Sequence, residues 1–265
     1  MTTTPTETGA GALLRDWRER RGLSQLQLAL GADSSARHIS FIETGRSRPG
    51  QELLLRLAEH LDVPVRERNS LLLAAGYAPH YAETPLDDPS LDALRSGMEQ
   101  LLAAHEPYPA LIVDGTYRVL AANRGIALLL EGVDPALLTQ PMNAMRITLH
   151  PQGLAPRIRN LRQWRAHLLE QMERQIALVR SEPLRVLYEE VRAYPAPAED
   201  ESQDASALFP FALPLRFEHG GRVLSFLSTI STFNTPMDVT VSELAMETFL
   251  PADPETASYL REVLP

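Results

Sequence analysis

The chain has 265 residues, a formal net charge of −9 and 44% hydrophobic residues, a length and apolar content that favour two modest domains, each with its own core. It contains no cysteine, which excludes disulfides, thiolate metal sites and cysteine nucleophiles. The opening MTTTPTETGA is polar and does not resemble a secretory signal, and no apolar run is long enough to cross a bilayer, so the expected location is the cytoplasm, with no membrane partner.

In chain order, residues 1–10 read as a disordered tail and 11–23 as a first helix, with Leu13, Leu14 and Trp17 on one stripe and Gly22 as its stop. Ser24 can cap a short second helix, Leu26 to Leu30, whose apolar residues are expected to face inward. Gly31-Ala32-Asp33-Ser34 supplies turn chemistry, and Ser35 can start a third helix with Ile39 and Ile42 buried. Gly45 can end that helix at positive φ, and Pro49 blocks its resumption. Two short helices around a tight turn, followed by an arginine-bearing loop, are the parts of a helix-turn-helix that reads the major groove. Helices from Gln51 to Leu61 and from Val65 to Ala75 complete an all-α unit of five helices over residues 11–82. Residues 83–90, with Thr84-Pro85 and Asp87-Asp88-Pro89, read as a linker.

A net charge of −9 is compatible with nucleic acid because the acid lies elsewhere: Gly9 to Tyr81 carries ten arginines against eight carboxylates. There is no lysine anywhere, which fits bidentate arginine contacts but equally fits the codon bias of a GC-rich genome. With Ile39 and Ile42 inward, a 100° step per residue turns Arg37, Phe41 and Thr44 outward, with Ser40 beside them. Phe41 would cover a thymine methyl or pack on a neighbouring element. Gln25, at a helix start, is expected on phosphate. Arg46 and Arg48 are expected to hold the DNA backbone from the loop, with a solvated surface role open for Arg48.

Residues 91–265 read as a second domain. It opens with a helix from Leu91 to Ala104, two strands around Asp114-Gly115, and Asn123 as the cap of a helix from Arg124 to Leu130. This opening is similar to PAS-type sensor domains. A long amphipathic helical stretch follows over Leu161 to Tyr194, then an acidic loop over Pro197 to Ala207. Strands are expected over Phe211 to Phe217 and Val223 to Thr232, and a last helix over Ser242 to Phe249. The interspersed elements point to an α+β domain with an antiparallel sheet and flanking helices.

Gln25, Ala29, Ile39-Ser40, Glu43, Gly45-Arg46 and Pro49 match the Cro and C1 repressor type of helix-turn-helix, the XRE family. Arg66 to Pro89, with HEPYPALIVD, LHPQGLAPRI and FLPAD further on, resembles the bacterial regulators that join this domain to an MmyB-like ligand-binding domain. Asp33-Ser34 departs from the Gly-Val usual in that turn, and Asp accepts the left-handed conformation less readily than Gly. The resemblance implies a transcriptional regulator that binds a double-stranded DNA operator as a homodimer. It places Ala36, Arg37 and Phe41 at base-contact positions; with Gln25, Ser35, Ser40, Thr44, Arg46 and Arg48 they make up the expected DNA face.

No paired histidines at ligand spacing, glycine-rich phosphate loop or nucleophile elbow occurs, so no catalytic or metal residue and no cofactor is expected. In the second domain the resemblance points to a small apolar ligand, with a fatty acid as the case that Arg146 would suit. The candidate pocket residues are Met142, Arg146, His150, Trp164, His167, Phe226 and Phe233. Two alternatives stay open: these polar residues form an interdomain network, or the domain serves only dimerisation or partner recruitment.

Overall fold

The computed structural model describes residues 9–179, 181–195, 212–233 and 236–264. In chain order the helices are α1 (Ala10–Arg20), α2 (Gln25–Gly31), α3 (Ala36–Glu43), α4 (Gln51–His60), α5 (Val65–Ala74), α6 (Asp92–Ala104), α7 (Arg124–Leu129), α8 (Ala144–Leu149), α9 (Leu161–Leu178), α10 (Glu182–Arg192), α11 (Val239–Ser242) and α12 (Pro254–Val263). The strands are β1 (Ala110–Val113), β2 (Val119–Ala122), β3 (Leu215–His219), β4 (Arg222–Thr232) and β5 (Ala245–Pro251). The chain divides into two compact units, residues 1–84 with 235–242, and residues 85–234 with 243–265.

In the first unit α1 to α5 enclose a core that includes Leu14, Trp17, Leu28, Ile39, Ile42, Leu57 and Leu72. Ser24 and Gln27 form a reciprocal cap: each accepts the other's backbone N–H, which satisfies two donors that the start of α2 would leave bare. Asp33 sits at φ +50° and Gly45 at φ +71°, so the two turns flanking α3 use the left-handed region. α1 can approach α3 because residue 11 has no side chain; a Cβ there would lie 2.1 Å from the Ile42 carbonyl oxygen. The expectation that α2 turns all its apolar residues inward is corrected: Leu28 and Ala29 are buried, but Leu26 and Leu30 face solvent. Seven residues make two turns, and a helix that short buries only one narrow stripe.

A buried ion pair ties the first unit together. Arg18 donates to both carboxylate oxygens of Glu43, at 2.6 and 2.9 Å, and to the Leu23 carbonyl. Removing one partner of such a pair would strand a buried charge, at a cost of about 3–5 kcal/mol. The segment that ends at Ser242 also belongs to this unit: α11 packs on α5, and the Val239 N–H donates to the Ala82 carbonyl. Asp238 accepts from the Thr84 N–H at 3.1 Å and the Thr84 hydroxyl at 2.7 Å.

The second unit is built on one five-stranded antiparallel sheet in the order β2-β1-β5-β4-β3. Period-two alternation sorts its residues between two faces. Ala110 and Ile112 of β1 pack with Met98 and Leu102 of α6. Leu111, Val113, Leu224, Phe226 and Phe249 face the larger core, with residues of α7 to α10 such as Ile126, Met145, Trp164 and Leu187. Asn123 is buried and caps α7, and its amide also donates to the Tyr108 carbonyl, which fixes the helix to the start of β1.

The helical stretch Leu161 to Tyr194 comprises two helices: Ser181 caps α10, and Pro183 has no N–H to continue a helix through the junction. Two expectations are corrected here. Ser242 to Phe249 is not a helix but contributes most of β5, flanked by β1 and β4. A helix is present further on: α12, with Asp253 as its cap and Pro254 at its first turn. The strand expected from Phe211 begins at Leu215, and the acidic loop 197–207 lies outside the described residues.

Candidate DNA face and ligand cavity

α3 presents Arg37 on its solvent side with the guanidinium 5.3 Å from the centre of the half-buried Phe41 ring. The stacked pair keeps Phe41 partly covered and extends Arg37 along the helix surface. Ser35 accepts the His38 N–H as the cap of α3, and Ala36 is the first residue of that helix. Ser40 is half-buried, and the exposed Thr44 turns its hydroxyl back to the Ser40 carbonyl at 2.7 Å. Arg46 is exposed in the loop after α3, held by its own N–H to the Phe41 carbonyl at 2.8 Å. Among the described residues neither Arg37 nor Arg46 has an ion-pair partner, so both guanidinium groups are available.

Two members of the expected face are held elsewhere. The Gln25 amide donates to Glu43 at 2.8 Å and so joins the Arg18–Glu43 pair. Arg48 donates to the Gly76 carbonyl at 3.1 Å and stacks 4.5 Å from the Tyr77 ring, which fixes its loop to the end of α5.

The second unit contains an apolar cavity of about 90 Å³, several times the roughly 10–15 Å³ that one water requires. Its wall includes Leu111 and Val119 from the first hairpin, Ile126 from α7, Met142, Met145 and Ile147 around α8, Trp164 and Leu168 from α9, and Phe249 from β5. Thr148 and Glu247 are its polar members. Of the expected pocket residues, Met142 and Trp164 lie in this wall, and the others do not. Phe226 is fully buried and meets Phe249 edge-on at 6.4 Å, one layer behind the wall. Phe233 follows the end of β4 and is exposed. Arg146 makes two hydrogen bonds to the Glu190 carboxylate, at 2.8 and 2.7 Å, because an arginine on α8 between the wall residues Met145 and Ile147 points out of the cavity. His150 packs edge-on against Tyr194, and His167 lies beside Trp164, where burial holds its pKa below the usual value.

Glu247 escaped the sequence reading. It shares a face of β5 with Ala245 and Phe249, opposite Leu111 of β1, and accepts a hydrogen bond from the Ser228 hydroxyl at 2.7 Å. Burial pushes its carboxyl above the usual range, against the smaller opposing effect of the Ser228 bond. The signal was the alternation in AMETFLP, concealed when those residues were assigned to a helix.

Comparison with known proteins agrees with both halves. Residues 14–68 match the helix-turn-helix family, and residues 94–263 match the MmyB-like transcription regulator ligand binding domain. The second match alone covers more than half of the chain, and the chain belongs to that family. It is a helix-turn-helix DNA-binding transcription regulator with an MmyB-like ligand-binding domain, and its families are regulators, not enzymes. Two crystal structures of the clp gene regulator ClgR from Corynebacterium glutamicum are similar to part of it. One is 28% identical over 28% of this chain and 92% of that one, with a TM-score of 0.23. The other is 22% identical over 40% and 99%, with a TM-score of 0.24. Among curated proteins none matches this chain. No helix among the described residues is long and apolar enough to cross a membrane.

The raised pKa of Glu247 sets a pH dependence. Below the ordinary carboxyl value of 4.5 the group is protonated in both folded and unfolded chains. As pH rises the unfolded chain ionises first, so the stability contributed by the neutral form is lost until the folded group ionises as well. Glu247→Gln keeps an acceptor for Ser228 and carries no charge. Its thermal midpoint is expected to match the wild type below pH 4.5 and to exceed it once pH rises above that value. Equal midpoints on both sides of that value, or a variant less stable at neutral pH, would contradict the buried-charge assignment.

Proposed function

We propose that the protein is a cytoplasmic, homodimeric regulator that reads a specific operator through α3 and changes its operator affinity when a small apolar molecule fills the cavity of the second unit. In this reading residues 10–82, joined by 236–242, form the DNA-binding unit, 83–90 are the linker, and 91–233 with 243–264 form the sensing and dimerisation domain. The observation that carries it is the apolar cavity within the region that matches a ligand-binding family. A fatty acid would need a cation for its head group, and with Arg146 engaged by Glu190 the reading keeps only the apolar body of that ligand.

Within the DNA face, Arg37 reads a base and Arg46 positions the phosphate backbone, assisted by Ser35, Ala36, Ser40, Phe41 and Thr44 along α3. Arg37→Ala is expected to relax sequence preference at one base pair of each half-site, a loss of about 1–3 kcal/mol of discrimination. Arg46→Ala is expected to weaken all sequences alike and to flatten the salt dependence by about one unit of slope. Selection from a randomised DNA library, followed by salt titration, measures both. Equal losses on operator and random DNA for Arg37→Ala would defeat the assignment.

Coupling runs through the chain segment between β4 and β5, which the Asp238–Thr84 hydrogen bonds hold in the first unit. Asp238→Ala is expected to leave octanol binding and octanol-free operator affinity near wild type. The factor by which octanol changes operator affinity should shrink toward one. An unchanged factor in a correctly folded variant would remove this segment from the coupling.

A further inference from the structure

Among the described residues that line the cavity, Glu247 is the only ionisable one. Its Oε1 accepts from Ser228, and its Oε2 has no hydrogen-bond partner among the described residues. Among the described residues no arginine or histidine offsets its charge, and the Ser228 hydroxyl is the group that favours its ionised form. Tyr117 lies within electrostatic reach, and its hydroxyl is pushed up to about 12, first by burial and then by the Glu247 charge. The remainder of the wall is hydrocarbon, thioether and indole apart from Thr148. An otherwise greasy cavity thus holds one carboxyl oxygen with unused acceptor capacity and no counter-charge.

We propose that the cavity takes an apolar molecule bearing a hydrogen-bond donor, best a protonated amine, at the end that meets Glu247, and that Glu247 rejects carboxylate-headed lipids. The proposal rests on the apolar-ligand reading above and names the head group for it. An ammonium supplies the donor and the opposite charge together, a charge-assisted bond that strengthens where water is excluded. A hydroxyl supplies the donor alone. A carboxylate would place a second negative charge beside the first, and the two could coexist only by sharing a proton. Glu247 is therefore the specificity-determining residue of the site, and the apolar wall sets the size and shape of the body it accepts.

The test uses the full-length protein and three probes of equal chain length: octylamine, 1-octanol and octanoic acid. Calorimetry and thermal shift at neutral pH are run on the wild type and on Glu247→Gln, with octanol competition to show that the probes share one site. The wild type is expected to bind amine roughly tenfold or more tightly than alcohol, with the acid weakest. In Glu247→Gln the amine should lose at least that factor while the alcohol changes little. Octanoic acid binding as tightly as octylamine, or an amine preference that survives in Glu247→Gln, overturns the head-group assignment alone. Failure of all three probes to bind the folded protein overturns the apolar-ligand reading as well.

Discussion

The hydrogen-bonded ladder between β4 and β5 is the constraint on which the second unit depends. Its register runs from Phe226 opposite Pro251 to Thr232 opposite Ala245. Because side chains alternate across a sheet, this register places Leu224, Phe226 and Ser228 on the same face as Glu247 and Phe249. A slip of one residue would turn Glu247 to the opposite face, where Met246 now lies, and separate it from Ser228. The same ladder ends at Thr232 and Ala245, and the chain between them does not close as a tight hairpin. It passes through the segment assigned to the first unit. The strands that present the polar corner of the cavity are therefore covalently joined through a piece of the DNA-binding unit.

In the first unit, polar groups and close packing together fix the position of α3. Arg18, Gln25 and Glu43 link α1, α2 and α3 by hydrogen bonds that converge on the buried Glu43 carboxylate, with further bonds from Arg18 to the Leu23 carbonyl and to Glu19. Gly11 lets α1 and α3 approach closely, and the left-handed Asp33 and Gly45 close the turns before and after α3. These contacts tie α3 to α1 and α2. In the proposed dimer, changes in operator affinity would come from the arrangement of two such units, the quantity to which half-site spacing responds. A cavity occupant alters it only to the extent that it prefers one arrangement over another.

The first unit was legible in the sequence because its signals are local. Ser24, Ser35, Gly45 and Pro49 mark helix ends, and Ile39 with Ile42 marks the buried side of α3. The bond from Gln25 to Glu43 was not legible, since the two residues are distant in sequence and are brought together by packing. In the second unit the first hairpin and the Asn123 cap were legible for the same local reason. β5 was not: LAMETFLP alternates over few residues, contains good helix formers, and becomes a strand through pairing with β1 and β4. That one misassignment hid Glu247 and left Arg146, His150 and His167 as the expected polar groups of the pocket. Phe226 was expected at the wall and instead lies behind it, because a fully buried aromatic supports a cavity as readily as it lines one.

The account joins cavity and operator in one equilibrium, and the most direct measurement is of that linkage in both directions on the wild-type protein. Operator affinity is measured with and without saturating octylamine, and octylamine affinity is measured on free and operator-bound protein. The account predicts that both pairs differ, and by the same factor, because the coupling free energy is reciprocal. Tight octylamine binding that leaves operator affinity unchanged would contradict it, and the cavity would then have no part in regulation.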